Sequence, residues 1–134
     1  MKKFEVRSIE IVAEYANVFN YISDSRNLPE WTNAFQSVSN GKAIMRTPEG
    51  SVEVELVVSA SWEQGTIDWF MKFPDGAQAA AFSRLIRLDE KRNVYSFILT
   101  EPPVSLEQLE GALGEQSQIL EEELKRLSHI LGIQ

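Results

Sequence analysis

Apolar and polar residues alternate with period two through the middle of the chain and with a helical period at its end. In 51–62, Val52, Val54, Leu56, Val58, Ala60 and Trp62 share one face, while Ser51, Glu53, Glu55, Ser59 and Ser61 share the other. That alternation predicts a strand with one dry side and one wet side. Segment 66–73 sets Ile67, Trp69, Met71 and Phe73 against Asp68 and Lys72. Segment 78–88 brings Phe82, Ile86 and Leu88 into phase with Arg84, opposite Ala79, Ala81, Ser83 and Arg87. Tyr95, Phe97 and Leu99 mark one side of 93–100, and weaker strands are expected at 34–39 and 42–46. The first strand, about 3–12, has Phe4 and Val6 in one phase but Ile9 and Ile11 in the other. A bulge near Ser8 would reconcile them. Between these segments stand turn formers: Asn40-Gly41, Pro48-Glu49-Gly50, Gln64-Gly65, Pro74-Asp75-Gly76 and the polar run 89–93. Gly, Asn and Asp tolerate positive φ, and Pro presets a turn's first dihedral, so successive strands should be antiparallel and hairpin-joined.

Two regions near the start read as short helices, 14–21 and a second from Ser25 or Asn27 to about Trp31–Phe35. The stretch 105–131 is a stronger signal. Pro102-Pro103 should stop the preceding strand, Ser105 is a candidate N-cap, and Leu106, Leu109, Leu113, Leu120, Leu124, Leu127 and Leu131 form an apolar stripe. Such a helix would be about 40 Å long. The expected fold is therefore α+β: a curved antiparallel sheet of six to seven strands wrapped around one long C-terminal helix, with two short helices after strand one. A single helical stripe cannot fill a concave sheet of that width. Large side chains must occupy the rest, or a cavity remains.

Composition narrows the function. The 134 residues carry 13 basic and 20 acidic side chains, a net charge of −7. This lacks the basic excess of a nucleic-acid binder and argues against docking on an anionic membrane. With no cysteine there is no disulfide, thiolate nucleophile or zinc ribbon. No apolar run approaches the ~20 residues of a membrane span, and Met1-Lys2-Lys3 is not followed by a signal-peptide apolar stretch. A single domain over 1–134, soluble and cytoplasmic, is expected.

The run from Phe19 to Thr32 (Phe-Asn-Tyr-Ile-Ser-Asp-Ser-Arg-Asn-Leu-Pro-Glu-Trp-Thr) resembles the early signature of the START-like superfamily. The resemblance is to its polyketide cyclase/dehydrase and lipid-transport group, the SRPBCC proteins. Gly65-Thr66-Ile67-Asp68-Trp69, Ser83-Arg84 and the run Leu120–Leu127 stand where that group has similar residues. The resemblance implies a helix-grip fold with a pocket between sheet and C-terminal helix. It also implies a hydrophobic ligand such as a lipid, steroid or polyketide, with cyclase chemistry in a minority of members. The chain lacks the glycine-rich loop of the plant allergen relatives, and it lacks the cysteines and histidine pair of Rieske-type relatives.

Strong catalytic constellations are missing. His129, the only histidine, sits at the end of the last helix, where a positive charge on the solvent side is tolerated. One histidine and no cysteine make a poor metal set, so neither a metal nor a cofactor is expected. Glu53 with Glu55, and Glu121-Glu122-Glu123, read as solvated faces. Arg84, by its phase with Phe82 and Ile86, would stand on the concave side. There it would need an acidic partner, water or an anionic ligand, and a one-residue shift of register would put it outside. Gln116 interrupts the leucine stripe and should turn its amide toward the sheet. Trp31, Phe35, Trp62, Trp69, Phe82 and Tyr95 are then either core or the wall of a pocket, with Arg84, Gln116 and Tyr95 (and Gln78 as a further polar position) fixing a ligand. The reading is a binder of a hydrophobic or aromatic small molecule, with a polyketide cyclase or dehydratase and a ligand-free protein-interaction module as alternatives. A homodimer stays open.

Overall fold

The computed structural model describes residues 4–47, 50–100 and 106–132, with side chains at all of these except 47 and 106–115. The order is β1 (Phe4–Val12), α1 (Tyr15–Ser23), a 3-10 turn (Ser25–Asn27), α2 (Leu28–Trp31) and β2 (Phe35–Ser39). Then follow β3 (Lys42–Thr47), β4 (Gly50–Ser61), β5 (Thr66–Lys72), β6 (Gln78–Asp89), β7 (Arg92–Thr100) and α3 (Leu106–Leu131). The seven strands form one curved antiparallel sheet in the order β1-β7-β6-β5-β4-β3-β2, not closed into a barrel. Each strand from β2 onward pairs with its successor, as short hairpins require, and only β1 is carried to the far edge beside β7. The chain between β1 and β2 must therefore cross from one edge to the other. The short helices make that crossing.

Local chemistry accounts for the turns. Asn40 and Gly41, with φ of 54° and 77°, supply the paired positive dihedrals of a tight hairpin between β2 and β3. Gly65 (φ 74°) opens β5 where the chain passes so near β6 that a Cβ would lie 2.1 Å from the Leu85 carbonyl oxygen. In α3, Leu120, Leu124 and Leu127 are buried, as the stripe predicts. Pro102, Pro103, the Ser105 cap and the Pro48-Glu49 turn lie outside the described residues, as do the side chains of Leu106, Leu109 and Leu113.

Two strands depart from the expectation: β1 has no bulge and β6 presents the opposite phase. β1 pairs with β7 without interruption from Phe4↔Thr100 to Val12↔Arg92, so there is no bulge at Ser8. Its concave side carries Glu5, Arg7, Ile9 and Ile11, and Phe4 and Val6 face outward, 53% and 47% exposed. Arg7 is tolerated on this side because its Nε donates to Ser117 Oγ of α3 at 2.9 Å and Glu121 is its ion-pair partner. In β6 the buried residues are Ser83 and Leu85, so Phe82, Arg84, Ile86 and Leu88 lie on the convex side. The reason is common to both strands. The convex face itself bears large apolar side chains, with Phe70 and Phe82 in edge-to-face contact there, so size does not mark the inner phase.

Candidate functional site

The interior beneath α2 and α3 is aromatic. Trp31 ends α2, Trp69 lies mid-way along β5, and Tyr95 and Phe97 alternate on β7. All four rings are buried. Ring centroids are 6.4 Å apart for Trp31 and Trp69, 6.5 Å for Trp31 and Tyr95, and 6.0 Å for the stacked Trp69 and Phe97. These are ordinary packing distances for aromatic pairs. Phe35 of β2 is buried in the same core.

Trp31 is positioned from both sides. Pro29 near the start of α2 presets helical φ, and the Thr32 hydroxyl donates to the Leu28 carbonyl at 2.7 Å to close the turn. From α3, Arg126 Nη1 donates to the Trp31 carbonyl at 3.3 Å and to Asn33 Oδ1 at 3.0 Å. The Asn33 amide donates to Glu123 Oε2. Glu123 is thus no part of a solvated face. Burial pushes its carboxyl up, opposed by the Asn33 amide and Arg126. Glu53, Glu55, Glu121 and Glu122 are exposed, as their polar faces predict.

The polar atoms of the aromatic cluster are the notable feature. Trp31 Nε1, Trp69 Nε1 and Tyr95 Oη are buried and, among the described residues, have no partner at hydrogen-bonding distance, and the same holds for Asn93 Oδ1 nearer the sheet end. Buried donors almost always find acceptors, because an unpaired one forfeits its hydration without replacement. Burial drives the Tyr95 phenol far above the ordinary tyrosine value, so it stays a neutral O–H. The adjoining Ser83 hydroxyl opposes that rise and Asp68 adds to it, while Ser83 gives its own proton to the Ile67 carbonyl at 2.6 Å. Around the cluster the inner side of the sheet is lined by small or partly exposed residues: Val58 pairs with Trp69, Ala81 with Trp69, and Ala79 with Met71.

The residues singled out from the sequence therefore separate into two groups. Trp31, Phe35, Trp69 and Tyr95 come together in the interior. Trp62, Phe82, Arg84 and Gln116 do not. Trp62 falls in the turn after β4, 47% exposed, with its ring against Tyr15 and Phe19. Arg84 points outward from β6, its Nε donating to the Gln64 carbonyl at 3.2 Å. Gln78 is exposed at the start of β6. Gln116 is exposed and Ser117 is buried in its stead. The spacing carries that signal: Leu113, Ser117, Leu120, Leu124 and Leu127 step by four, three, four and three, the continuous seam of a helix. Among the described residues no group of three or more His, Cys, Asp or Glu side chains could hold a metal ion, and His129 is exposed.

No protein-family model and no curated protein matches the chain. Solved structures do. The protein XoxI from Bacillus cereus superposes with a TM-score of 0.70 at 15% identity, over 97% of this chain and 96% of that one. A START superfamily protein from Mycobacterium smegmatis gives a TM-score of 0.65 at 13% identity, over 96% and 99%. The di-domain ARO/CYC BexL from the BE-7585A biosynthetic pathway gives 0.69 at 13% identity, over 96% of this chain and 46% of that one. At such identities the likeness concerns architecture: the chain has the START-like helix-grip fold. No helix among the described residues is long and apolar enough to cross a membrane.

Proposed function

We propose that this START-like chain binds a hydrophobic, flat small molecule between the concave face of the sheet and α3, with Trp31, Phe35, Trp69 and Tyr95 as its walls. The observation that carries the reading is the set of three buried donors without acceptors among the described residues, Trp31 Nε1, Trp69 Nε1 and Tyr95 Oη, in one aromatic cluster. A guest bearing a carbonyl or phenolic oxygen would supply the missing acceptor while its apolar body gains roughly 25 cal/mol per Å² buried. The small inner residues Ala79 and Ala81 and the partial exposure of Val58 and Leu99 support room at this face. Arg84 and Gln116 have no part in this interior site, because both side chains point away from it.

The test is native mass spectrometry of freshly purified protein, followed by thermal melts with a flavonoid, a sterol and a fatty acid. A ligand that binds only the folded state raises apparent stability. The expected result is a rise with the oxygen-bearing planar probe that shrinks in Trp69→Phe, which keeps a ring but loses the N–H. A melting temperature indifferent to every probe, with no co-purified mass, would overturn the reading.

A second reading, a cyclase or dehydratase acting on a polyketide-like chain, is favoured by one observation: a phenol held neutral inside the aromatic cluster. Such a group could polarise a ketone oxygen in a site that also holds the chain folded. The relative BexL, described as an ARO/CYC protein, makes the substrate class a reasonable one to try. Turnover of a poly-ketone mimic that survives Tyr95→Phe unchanged would remove Tyr95 from that role.

A further inference from the structure

Arg84 and Trp62, which the interior does not use, meet again outside it. Both line a groove of about 460 Å³ between the start of α1, the β4–β5 turn and β6, together with Tyr15, Gln64 and Arg87. The groove is a built feature of the backbone. Gly65 brings the turn against β6, where the Leu85 amide donates to the Gly65 carbonyl at 2.7 Å, and the Tyr15 hydroxyl holds the Trp62 carbonyl at 2.7 Å.

Each polar wall is held in place by something other than a countercharge. Arg84 Nε is spent on the Gln64 carbonyl, and the two terminal nitrogens of its guanidinium have no hydrogen-bond partner among the described residues. The Arg87 guanidinium lies over the Tyr15 ring, 4.9 Å from the centroid. Among the described residues neither has a carboxylate within ion-pair distance, although Glu63 also lines the groove. By contrast Arg7, Arg26 and Arg92 each have one. In a chain of net charge −7, two neighbouring arginines without acidic partners in one groove make a local cationic spot on an acidic protein. The third wall is the Trp62 indole, immobilised by edge contacts to Tyr15 (5.0 Å) and Phe19 (5.3 Å) while nearly half of it faces solvent. Volume, a fixed aromatic wall and cationic side chains lining the same groove are the elements of a small-molecule site.

We propose that this groove is a binding site, separate from the interior, for a planar aromatic anion. The ring lies against Trp62, and the anionic oxygens sit between Arg84 and Arg87. The guanidinium forks suit carboxylate and phosphate alike.

Calorimetric titration of the full chain with 2-naphthoate, 2-naphthyl phosphate and the neutral 2-naphthamide tests it. At least one anion should bind, the better of the two identifying the preferred oxygen group, and the amide should bind at least about tenfold more weakly. The variant Arg84→Gln/Arg87→Gln, altered only at exposed side chains, should melt like the parent and lose at least about tenfold in anion affinity. Trp62→Phe should retain most of the binding. Three results would each overturn the proposal: no binding of either anion up to about 1 mM, equal affinity in the double-glutamine variant, or loss of binding in Trp69→Phe but not in that variant. The last would assign the probe to the interior.

Discussion

The Asn33 amide donates to Oε2 of Glu123 at 2.6 Å, across 90 positions of sequence, and so clasps the corner after α2 to the long helix. Arg126, from the next turn of that helix, holds the Asn33 side chain and the Trp31 carbonyl. The clasp fixes the tryptophan whose indole forms one wall of the interior. Glu123→Ala should leave the amide without its acceptor and cost about 1 kcal/mol in urea unfolding. Glu123→Gln, which keeps an acceptor oxygen, should lose less than half as much. Equal losses would mean that packing of the side chain, and not the hydrogen bond, is what matters.

Glu123 also gives the fold a signed pH dependence. Its carboxyl is raised chiefly by burial, with the Asn33 amide and Arg126 pulling the other way and Glu122 adding to the rise. Over the interval between the ordinary glutamate value and the raised one, the folded chain keeps a proton that the unfolded chain has released. Stability then falls as pH climbs through that interval. The parent should lose stability relative to Glu123→Gln on going from acid to neutral pH, followed by denaturant midpoints in matched buffers. A parent that gains on the variant over the same range would contradict the assignment.

What could be read from the sequence, and what could not, divides along one physical line. β4 and β5 were legible because one phase carries the charges: Glu53, Glu55, Asp68 and Lys72 mark the wet side even though Val57 and Phe70 share it. β1 and β6 were not, because their convex sides carry Phe4, Val6, Phe82 and Ile86, while their concave sides accept Arg7 and Ser83. Both polar residues find partners, Arg7 with Ser117 and Glu121, and Ser83 with the Ile67 carbonyl. Such partners are long-range, so period-two reasoning cannot see them. The interior aromatics Trp31, Phe35, Trp69 and Tyr95 were recognisable by type, and the outer positions of Trp62 and Arg84 depended on where β4 ended and how β6 was phased.

The phase of β6 is directly checkable. Leu85 is 2% exposed and Ile86 45%. Leu85→Ala should cost about 2–5 kcal/mol by emptying packed space, whereas Ile86→Lys should change stability by no more than about 0.5 kcal/mol. Urea denaturation of the two variants compares them. The reverse ranking would restore the phase that side-chain size alone suggests.

Gly65 should be intolerant of any side chain. Its φ of 74° already disfavours L residues, and a Cβ would meet the Leu85 carbonyl oxygen at 2.1 Å, a backbone atom that cannot swing aside. Because that carbonyl belongs to β6 and the Leu85 amide bonds the Gly65 carbonyl, relief would require parting β5 from β6. Gly65→Ala should lose at least about 2 kcal/mol, more than a surface change normally costs. Gly41→Ala, at a positive φ with open space around it, should lose less. Denaturant midpoints that place the two glycines level would show the close approach to be relaxed in solution.

Tyr95→Phe separates stability from binding. The phenol is wholly buried with no partner at hydrogen-bonding distance among the described residues, so removing its oxygen discards a desolvated group and leaves no orphan behind. The variant should be more stable than the parent by about 1 kcal/mol. If the interior takes an oxygen-bearing guest, the same change removes one of the donors that would hold it, and the ligand-induced rise in melting temperature should shrink. The two effects run in opposite directions, a combination that simple core packing does not produce. A Tyr95→Phe protein less stable than its parent would show that the hydroxyl is satisfied within the fold, and would withdraw it as a group reserved for a ligand.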